Sequence, residues 1–431
     1  ALCVLSGGRL PEALFMVFYW IPKVQQRFYW FSDWIQRGLT IVGAEGELEA
    51  AMQARFLEAT FAASTDTAAL DSATLVVHVG ALLAEASATV ILADVAQLLQ
   101  SVLKQAEHNS SAVTVSVITR SGVSLPNTLL EGDVPPKHAG VWGLARTART
   151  EEPSLKLRCI DVGGFIGGTE DFANAVAQWV LSLESSSEME VAVRRASESG
   201  HGAAFVPRLQ RSTALASTPK PVDLFADATY VFTGGTGGLG LVMARAFVER
   251  GAKHLLLLSR GGRVSANSAS EWEWLEGSGV DVVFAKCDVA DAGSVRSVLD
   301  QATASMPAVR GALHLAGVAE PLQLMQLTSE HFERTYAGKV QGAMNLRGAL
   351  DMSALDFLVL FSSISSTFGI ARQGSYAAAN ATLDALAGYW RGFDEPVWSV
   401  QWGPWREVGM LANSGGADRV EASGLGTIST A

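Results

Sequence analysis

In GSYAAANATLD, Gly374 to Asp384, Tyr376 stands four residues ahead of Asn380. Residues four apart share one face of an α-helix, so the two side chains face a common target. A tyrosine that is to protonate a carbonyl needs help, because its reference pKa is about 10 and only a nearby ammonium favours its ionised form. One helical turn beyond Tyr376 stands Asn380 and no lysine, so a lysine must come close from elsewhere. Thirteen residues before Tyr376 the apolar run DFLVLFSS delivers Ser362 and Ser363 at its C-terminal end. That is the edge at which open α/β sheets bind ligands.

A second constellation lies upstream. TYVFTGGTGGLGLVMARAF reads as a strand, a turn with Thr233, Gly234, Gly238 and Gly240 in the spacing T-G-x-x-x-G-x-G, and a helix. Glycine suits this turn because the backbone must approach phosphate and the helix must pack closely on the sheet. Exposed amides from Thr233 through Gly234, Gly235, Thr236, Gly237, Gly238, Leu239 and Gly240 then favour an anion. The reading is a dinucleotide site. About 20 residues on, where an NAD site presents an acid to the ribose, the chain has Ser259 and Arg260. A guanidinium pairs with a 2′-phosphate, which favours NADPH over NADH. Asp288, followed by Val289, either faces the adenine edge or serves as a cap or turn residue. Ala316 and Gly317, in LHLAG, are small enough to let the nicotinamide half pass.

These residues need a sheet to carry them. After residue 222 strands are predicted at ATYVFTG, HLLLLS, VDVVFAK, GALHLAG, DFLVLFSS and VWSVQWG. Before it, TLVVHVG (74–80), VTVSVIT (113–119) and LKLRCIDV (155–162) alternate with helical stretches such as ADVAQLLQSVLKQAEH. The alternation predicts a parallel sheet with crossover helices in each half. The small-residue, proline-containing segment 212–227 reads as a linker, giving units 1–222 and 223–431. The first unit leaves its opening strand, taken as 74–80, through HVGALLAEAS, which lacks the further glycines a pyrophosphate needs. Its expected role is structural. ALFMVFYWI (13–21) reads as a buried strand.

A chain of 431 residues with 48% hydrophobic and 17% charged residues has ample core for two such units. The net charge of −11 and the lack of a Lys/Arg run argue against a nucleic-acid binder. No apolar run approaches the roughly 20 residues of a membrane span. The three scattered cysteines indicate neither a disulfide framework nor a zinc cluster, the seven histidines form no metal-ligand motif, and no G-x-S-x-G elbow is present. No metal is expected, and a reducing, cytoplasmic setting fits. His314 reads as a satisfied core residue, while Trp402 and Trp405 either pack or line a groove.

HLAGV, FERTYAGKVQGAMNL, FLVLFSSISSTFGIARQGSYAAANATLDALA and VWSVQWGPWREVGM together resemble the ketoreductase domain of a modular polyketide synthase. That family is a branch of the short-chain dehydrogenase/reductases, in which the polyketide members exchange the lysine and asparagine positions of the simpler enzymes. The segment HAGVWGLARTARTEEPSLKLRCIDV is similar to the family's truncated, non-catalytic first subdomain. The resemblance implies an α/β fold of two tandem Rossmann-like subdomains, the first truncated and structural, the second a doubly wound parallel sheet binding NADPH. It implies Tyr376 as proton donor to a ketone oxygen, with Ser363 hydrogen-bonding that oxygen. Lys339, on the preceding long helix and 24 residues before Ser363, would hold the nicotinamide ribose and depress the tyrosine pKa. Asn380 would orient Tyr376 or a relay water, and Ser362 would adjoin the cofactor.

The implied reaction is reduction of a β-ketoacyl thioester, tethered through phosphopantetheine to an acyl carrier protein, within a multienzyme of neighbouring domains. The reductase of a fatty acid synthase and a cofactor-binding module without turnover are the alternatives. Glu320, Phe368, Trp402 and Met410 are the implied substrate contacts. Of the two fingerprints for hydroxyl configuration, the first has Ala319, Glu320 and Pro321 in place of Leu-Asp-Asp. The second has Phe368 in place of a tryptophan, so stereochemistry stays open. The family continues past GLGTIST into a lid and a last sheet segment, so the chain is expected to be truncated.

Overall fold

Strands buried on both faces are what runs of branched and aromatic residues form when helices cover each side of a parallel sheet. All five residues of TYVFT, Thr229–Thr233, are buried. The computed structural model describes residues 2–5, 14–22, 39–44, 46–53, 59–62, 70, 73, 75–79, 86–107, 113–123, 136–163, 169–182, 186–195, 202–211, 224–262, 264, 268–409 and 426–429.

The chain opens with β1 (Leu2–Leu5), β2 (Leu14–Pro22), β3 (Leu39–Val42), α1 (Gly46–Gln53), β4 (Thr60–Ala62), β5 (Leu75–His78) and α2 (Ala88–Ala106). Next come β6 (Thr114–Thr119), α3 (Ala139–Glu151), β7 (Lys156–Gly163), α4 (Thr169–Ser182), β8 (Glu190–Arg195) and β9 (Gly202–Arg211). The second half has β10 (Thr229–Thr233), α5 (Gly238–Val248), β11 (His254–Ser259), α6 (Ala269–Gly277), β12 (Asp281–Lys286), α7 (Ala292–Ser305) and β13 (Val309–His314). It continues with α8 (Ser329–Tyr336), a π-helical segment (Ala337–Gln341), α9 (Gly342–Ala349), β14 (Phe357–Ser363), α10 (Ser365–Phe368), α11 (Gly374–Arg391) and β15 (Val397–Trp402).

The second half is wholly parallel in the order β12-β11-β10-β13-β14-β15, a doubly wound unit whose strand order reverses between β10 and β13. The first half runs β4-β3-β5-β6-β7-β8 in parallel and turns antiparallel through β9 and β2. Among the described residues β4 is the outermost strand of this half. β1 joins the halves, antiparallel to β2 and parallel to β15, giving one 15-stranded sheet.

The 74–80 run, expected to open the first unit, supplies β5, the third strand of its parallel run; that run begins with β3, which leaves through Gly43 towards α1, and β1 and β2 precede it. LTIV is only four residues long, too short a run to stand out beside its aromatic flank. The linker residues 212–223, with the proposed unit boundary, lie outside the described residues.

α3 of the first unit packs directly on α11 of the second. Val141, Trp142 and Leu144 share one core cluster with Ala378, Leu383 and Leu386. The approach is so close that a Cβ on Gly143 would lie 2.3 Å from Ala377 O, next to Tyr376. Gly143→Ala is therefore expected to destabilise the chain by about 1–3 kcal/mol, the usual cost of overpacking. Urea unfolding checks it: the midpoint should fall at unchanged slope, and an unmoved midpoint would refute the contact.

Candidate active site

A cleft of about 1110 Å³ opens at the C-terminal ends of the second unit's strands. It runs from Gly234 and Gly237–Gly240 past Ser259, Arg260, Asp288 and Val289 to Ala316, Gly317, Lys339, Ser362, Ser363, Tyr376 and Trp402. Strand-order reversal leaves such a crevice because the crossover helices diverge to opposite faces. Gly234 holds φ +68°, and a side chain there would press to 3.1 Å from the Ala316 backbone. Gly237 caps α5 with no side-chain hydrogen bond, which leaves the first helical amides to a ligand. These residues fit a nicotinamide dinucleotide: the phosphates at the helix N-terminus, the small Ala316–Gly317 step towards Lys339 and Tyr376.

Thr233 and Gly235 lie beneath this surface and outside the cleft lining. The Thr233 hydroxyl donates to His314 Nδ1 at 2.8 Å and accepts from Ala316 N at 3.3 Å. His314 Nε2 donates to Lys339 O at 2.8 Å. Burial, with the Lys339 charge, lowers the His314 pKa to about 4, so its ring is neutral and this tautomer is the one its partners require. His314 is thus a core residue that pins the lysine's backbone.

Lys339 sits in the π-helical segment, where one extra residue per turn interrupts the expected long helix. Its side chain is 2% exposed. Nζ donates to Phe361 O at 2.9 Å and stands 5.1 Å from the Tyr376 ring centroid. Burial lowers its pKa to about 8, with Asp384 pulling the other way. A side chain on Gly317 would meet the lysine stem at 2.8 Å.

Tyr376 and Asn380 lie in the first half of α11, as their spacing predicts. Asn380 Nδ2 donates to Tyr376 O at 2.8 Å, while Oδ1 is buried without a hydrogen-bond partner. Ser362 Oγ donates to Asn380 O at 3.2 Å, and Ser363 Oγ accepts from Ser365 N at 3.1 Å. Burial pushes the Tyr376 phenol upward by more than the adjacent Asn380 and Ser363 side chains pull it down. The expected depression by Lys339 is therefore not the net effect. The ammonium lies over the ring face, and the phenol rests protonated.

The structure brings in a residue that the motif reading omits. Asp384 accepts from Ser366 Oγ at 2.7 Å, Gln401 Nε2 at 2.6 Å and Ser399 Oγ at 2.6 Å. Ser366 Oγ also lies 2.8 Å from Ser363 O and shares its one hydroxyl hydrogen between the two acceptors, so one carboxylate ties α11 to the serine loop and to β15. Its signal was present in the sequence, since Tyr376, Asn380 and Asp384 follow one another at four-residue steps.

Asp288 lines the cleft while its carboxylate accepts from Ala290 N at 3.1 Å, which makes it a turn residue as well. Glu320 lines the cleft in a two-point pair with Arg334. Trp402 stacks on Phe361 with centroids 5.2 Å apart and also faces the cleft. Phe368 is 38% exposed and does not line it. Met410 lies outside the described residues.

The KR domain family matches residues 228–407, and the Rossmann fold domain of polyketide synthase extender module SpnB matches residues 33–209. The chain is 35% identical over 277 residues to polyketide synthase GfsA of Streptomyces halstedii, covering 64% of this chain and 4% of that one. It is 35% identical over 306 residues to 5-methyl-1-naphthoate synthase of Streptomyces sahachiroi, covering 68% and 16%. The chain thus spans a small part of these curated relatives. Among solved structures, the ketoreductase from the first module of phoslactomycin biosynthesis in Streptomyces sp. HK803 is 27% identical with a TM-score of 0.76, covering 96% of this chain and 87% of that one. An A1-type ketoreductase is 27% identical with a TM-score of 0.79, covering 96% and 88%.

The geometry around Lys339 predicts a titration. Its ammonium form should be lost as pH rises through about 8, well below the ordinary lysine value. Asp384→Asn removes the one nearby charge that raises this pKa, so the midpoint should move lower still. NMR of lysine side-chain nitrogens, assigned with Lys339→Arg, reads both midpoints; an unmoved one in Asp384→Asn would show that the two groups do not communicate.

Proposed function

The chain belongs to the ketoreductase domains of modular polyketide synthases, and from that premise we propose that it uses NADPH to reduce a β-ketoacyl thioester, carried on an acyl carrier protein, to the β-hydroxyacyl thioester. The observation that carries this reading is the buried Lys339 ammonium beneath the Tyr376 ring, with Ser363 and Asn380 in the same glycine-loop cleft. Residues 1–222 serve as the structural unit and 223–431 as the catalytic one. Neighbouring domains of a cytoplasmic multienzyme and the carrier protein are the partners.

The phosphates would lie on Gly234–Gly240 and the nicotinamide ribose against Lys339 and Tyr376. When bound, the nicotinamide supplies the hydride that reduces the ketone carbon. Ser363 and Tyr376 hydrogen-bond the ketone oxygen and so favour the negative charge that grows there. Tyr376 transfers its phenolic proton to that oxygen, which closes the alcohol. A phenol held protonated by burial begins in the form that can donate. The Lys339 cation over its ring then stabilises the phenolate as it forms, so the lysine acts on the charged state and needs no standing shift in the resting one. The unpartnered Asn380 Oδ1 offers an acceptor for a water that returns the proton. Arg260, exposed at the cleft rim, supports NADPH, since its guanidinium favours a 2′-phosphate.

Tyr376→Phe should lower kcat by roughly 10²- to 10⁴-fold and leave the NADPH Kd nearly unchanged. Oxidation of NADPH with a β-ketoacyl thioester surrogate or trans-1-decalone checks it, and full activity in the variant would remove the phenol from the mechanism. Arg260→Ala should raise the KM for NADPH while leaving that for NADH within about twofold, because a 2′-phosphate is the only group it is asked to read. Equal effects on both cofactors would overturn the assignment.

A further inference from the structure

The substrate end of the cleft has two lips, one carrying Ala319, Glu320 and Pro321, the other Ile370, Ala371 and Arg372. Both belong to the second unit, and they touch through one parallel bridge between Leu322 and Gln373. Arg372 Nη2 donates across to Pro321 O at 3.2 Å. Arg372 is itself held at φ +66°, a conformation that a non-glycine residue keeps only where its surroundings impose it.

What imposes it comes from the first unit. Glu151, the last residue of α3, accepts from Arg372 N through Oε1 at 2.6 Å and from Leu324 N through Oε2 at 2.6 Å. One carboxylate thereby fixes the separation of two backbone segments, one behind each lip. Charge-assisted bonds of this length are the strong class. Gln100 of α2 adds donation from Nε2 to Leu324 O at 2.8 Å and Leu327 O at 2.9 Å. The location of Glu151 supports a role beyond its own helix. A carboxylate at a helix C-terminus faces the negative end of the helix dipole, so local electrostatics disfavour it there.

We propose that Glu151 is a positioning residue that sets the width of the substrate groove and thereby the face of the ketone presented for reduction. The inference rests on the ketone reduction proposed above. It gives the first unit a part in substrate selection: its helix α3 ends on the groove.

Two variants of the full chain test it. Glu151→Gln keeps the volume but replaces one acceptor oxygen with an NH₂ that cannot accept. Glu151→Asp keeps the charge and withdraws it by one methylene, so it cannot reach both amides. Hydrogen exchange at the Leu324 and Arg372 amides should accelerate by on the order of 10-fold in the Gln variant. With NADPH and an α-methyl-β-ketoacyl thioester, the ratio of alcohol isomers should shift and the thioester KM rise severalfold, while the NADPH Kd stays within about twofold, because the dinucleotide half of the cleft is untouched. A folded variant with unchanged exchange, isomer ratio and KM overturns the proposal. If the Gln variant does not fold, the Asp variant decides by the same readouts. A wild type that reduces no ketone overturns the reductase reading and the selectivity with it, whereas exchange at the two amides still decides whether Glu151 holds the lips.

Discussion

An ammonium with 2% exposure has lost nearly all its hydration, and that loss, only partly offset by Asp384, is why the Lys339 pKa falls to about 8. Nothing local to its helix repays it. What returns part of the cost comes from other elements: the Phe361 carbonyl of β14, the Tyr376 ring of α11, and the field of Asp384 two turns further along that helix. Each compensating group is also part of the site or of its support. A displacement of β14 or α11 that spoiled the chemistry would first expose or strand the cation, so folding the lysine in and assembling the site are one energetic event.

Holding α11 in place therefore matters more than holding any single side chain. Its inner face meets α3 at a separation only glycine allows, and α3 reaches further through Arg146. That guanidinium donates to Ser366 O and pairs with Glu190 of β8. Against the penalty of burial, Glu190 raises the Arg146 pKa, and Arg146 with Arg149 lowers that of Glu190. Such a pair adds little net stability compared with apolar packing, but losing one member leaves an uncompensated charge in the interior. The first unit thus holds the serine loop from behind, and Asp384 holds it from within.

The sequence made most of this visible where a residue acts through a local pattern. The glycine turn, the six strands of the second unit and the shared face of Tyr376 and Asn380 are all periodicities of one element. What it hid depends on contacts between elements. LTIV was too short to declare itself a strand. Lys339 could be placed on a neighbouring helix only by resemblance, and its position over the ring, with the phenol shifted up and not down, needed coordinates. The four-residue step put Asp384 on the face of Tyr376 and Asn380, but nothing in the chain's order shows that its oxygens, or those of Glu151, meet amides and hydroxyls from distant segments.

The π-helical segment follows from the same constraint. In the simpler arrangement a lysine on the tyrosine's own helix lies one turn away and needs no special backbone. Moving the cation to the neighbouring helix, which packs against α11 through Tyr336 and Thr382, requires its stem to pass Gly317 and its own carbonyl to stay accessible to His314, which claims it at 2.8 Å. Carbonyls inside a regular helix are already engaged by the amide four residues on. In the π-helical turn at Ala337–Gln341, Lys339 O accepts from Gly342 N and with its second lone pair from the histidine, while Nζ is carried under Phe361 O. A lysine supplied from outside the tyrosine's helix is thus fixed at both its backbone and its charged end.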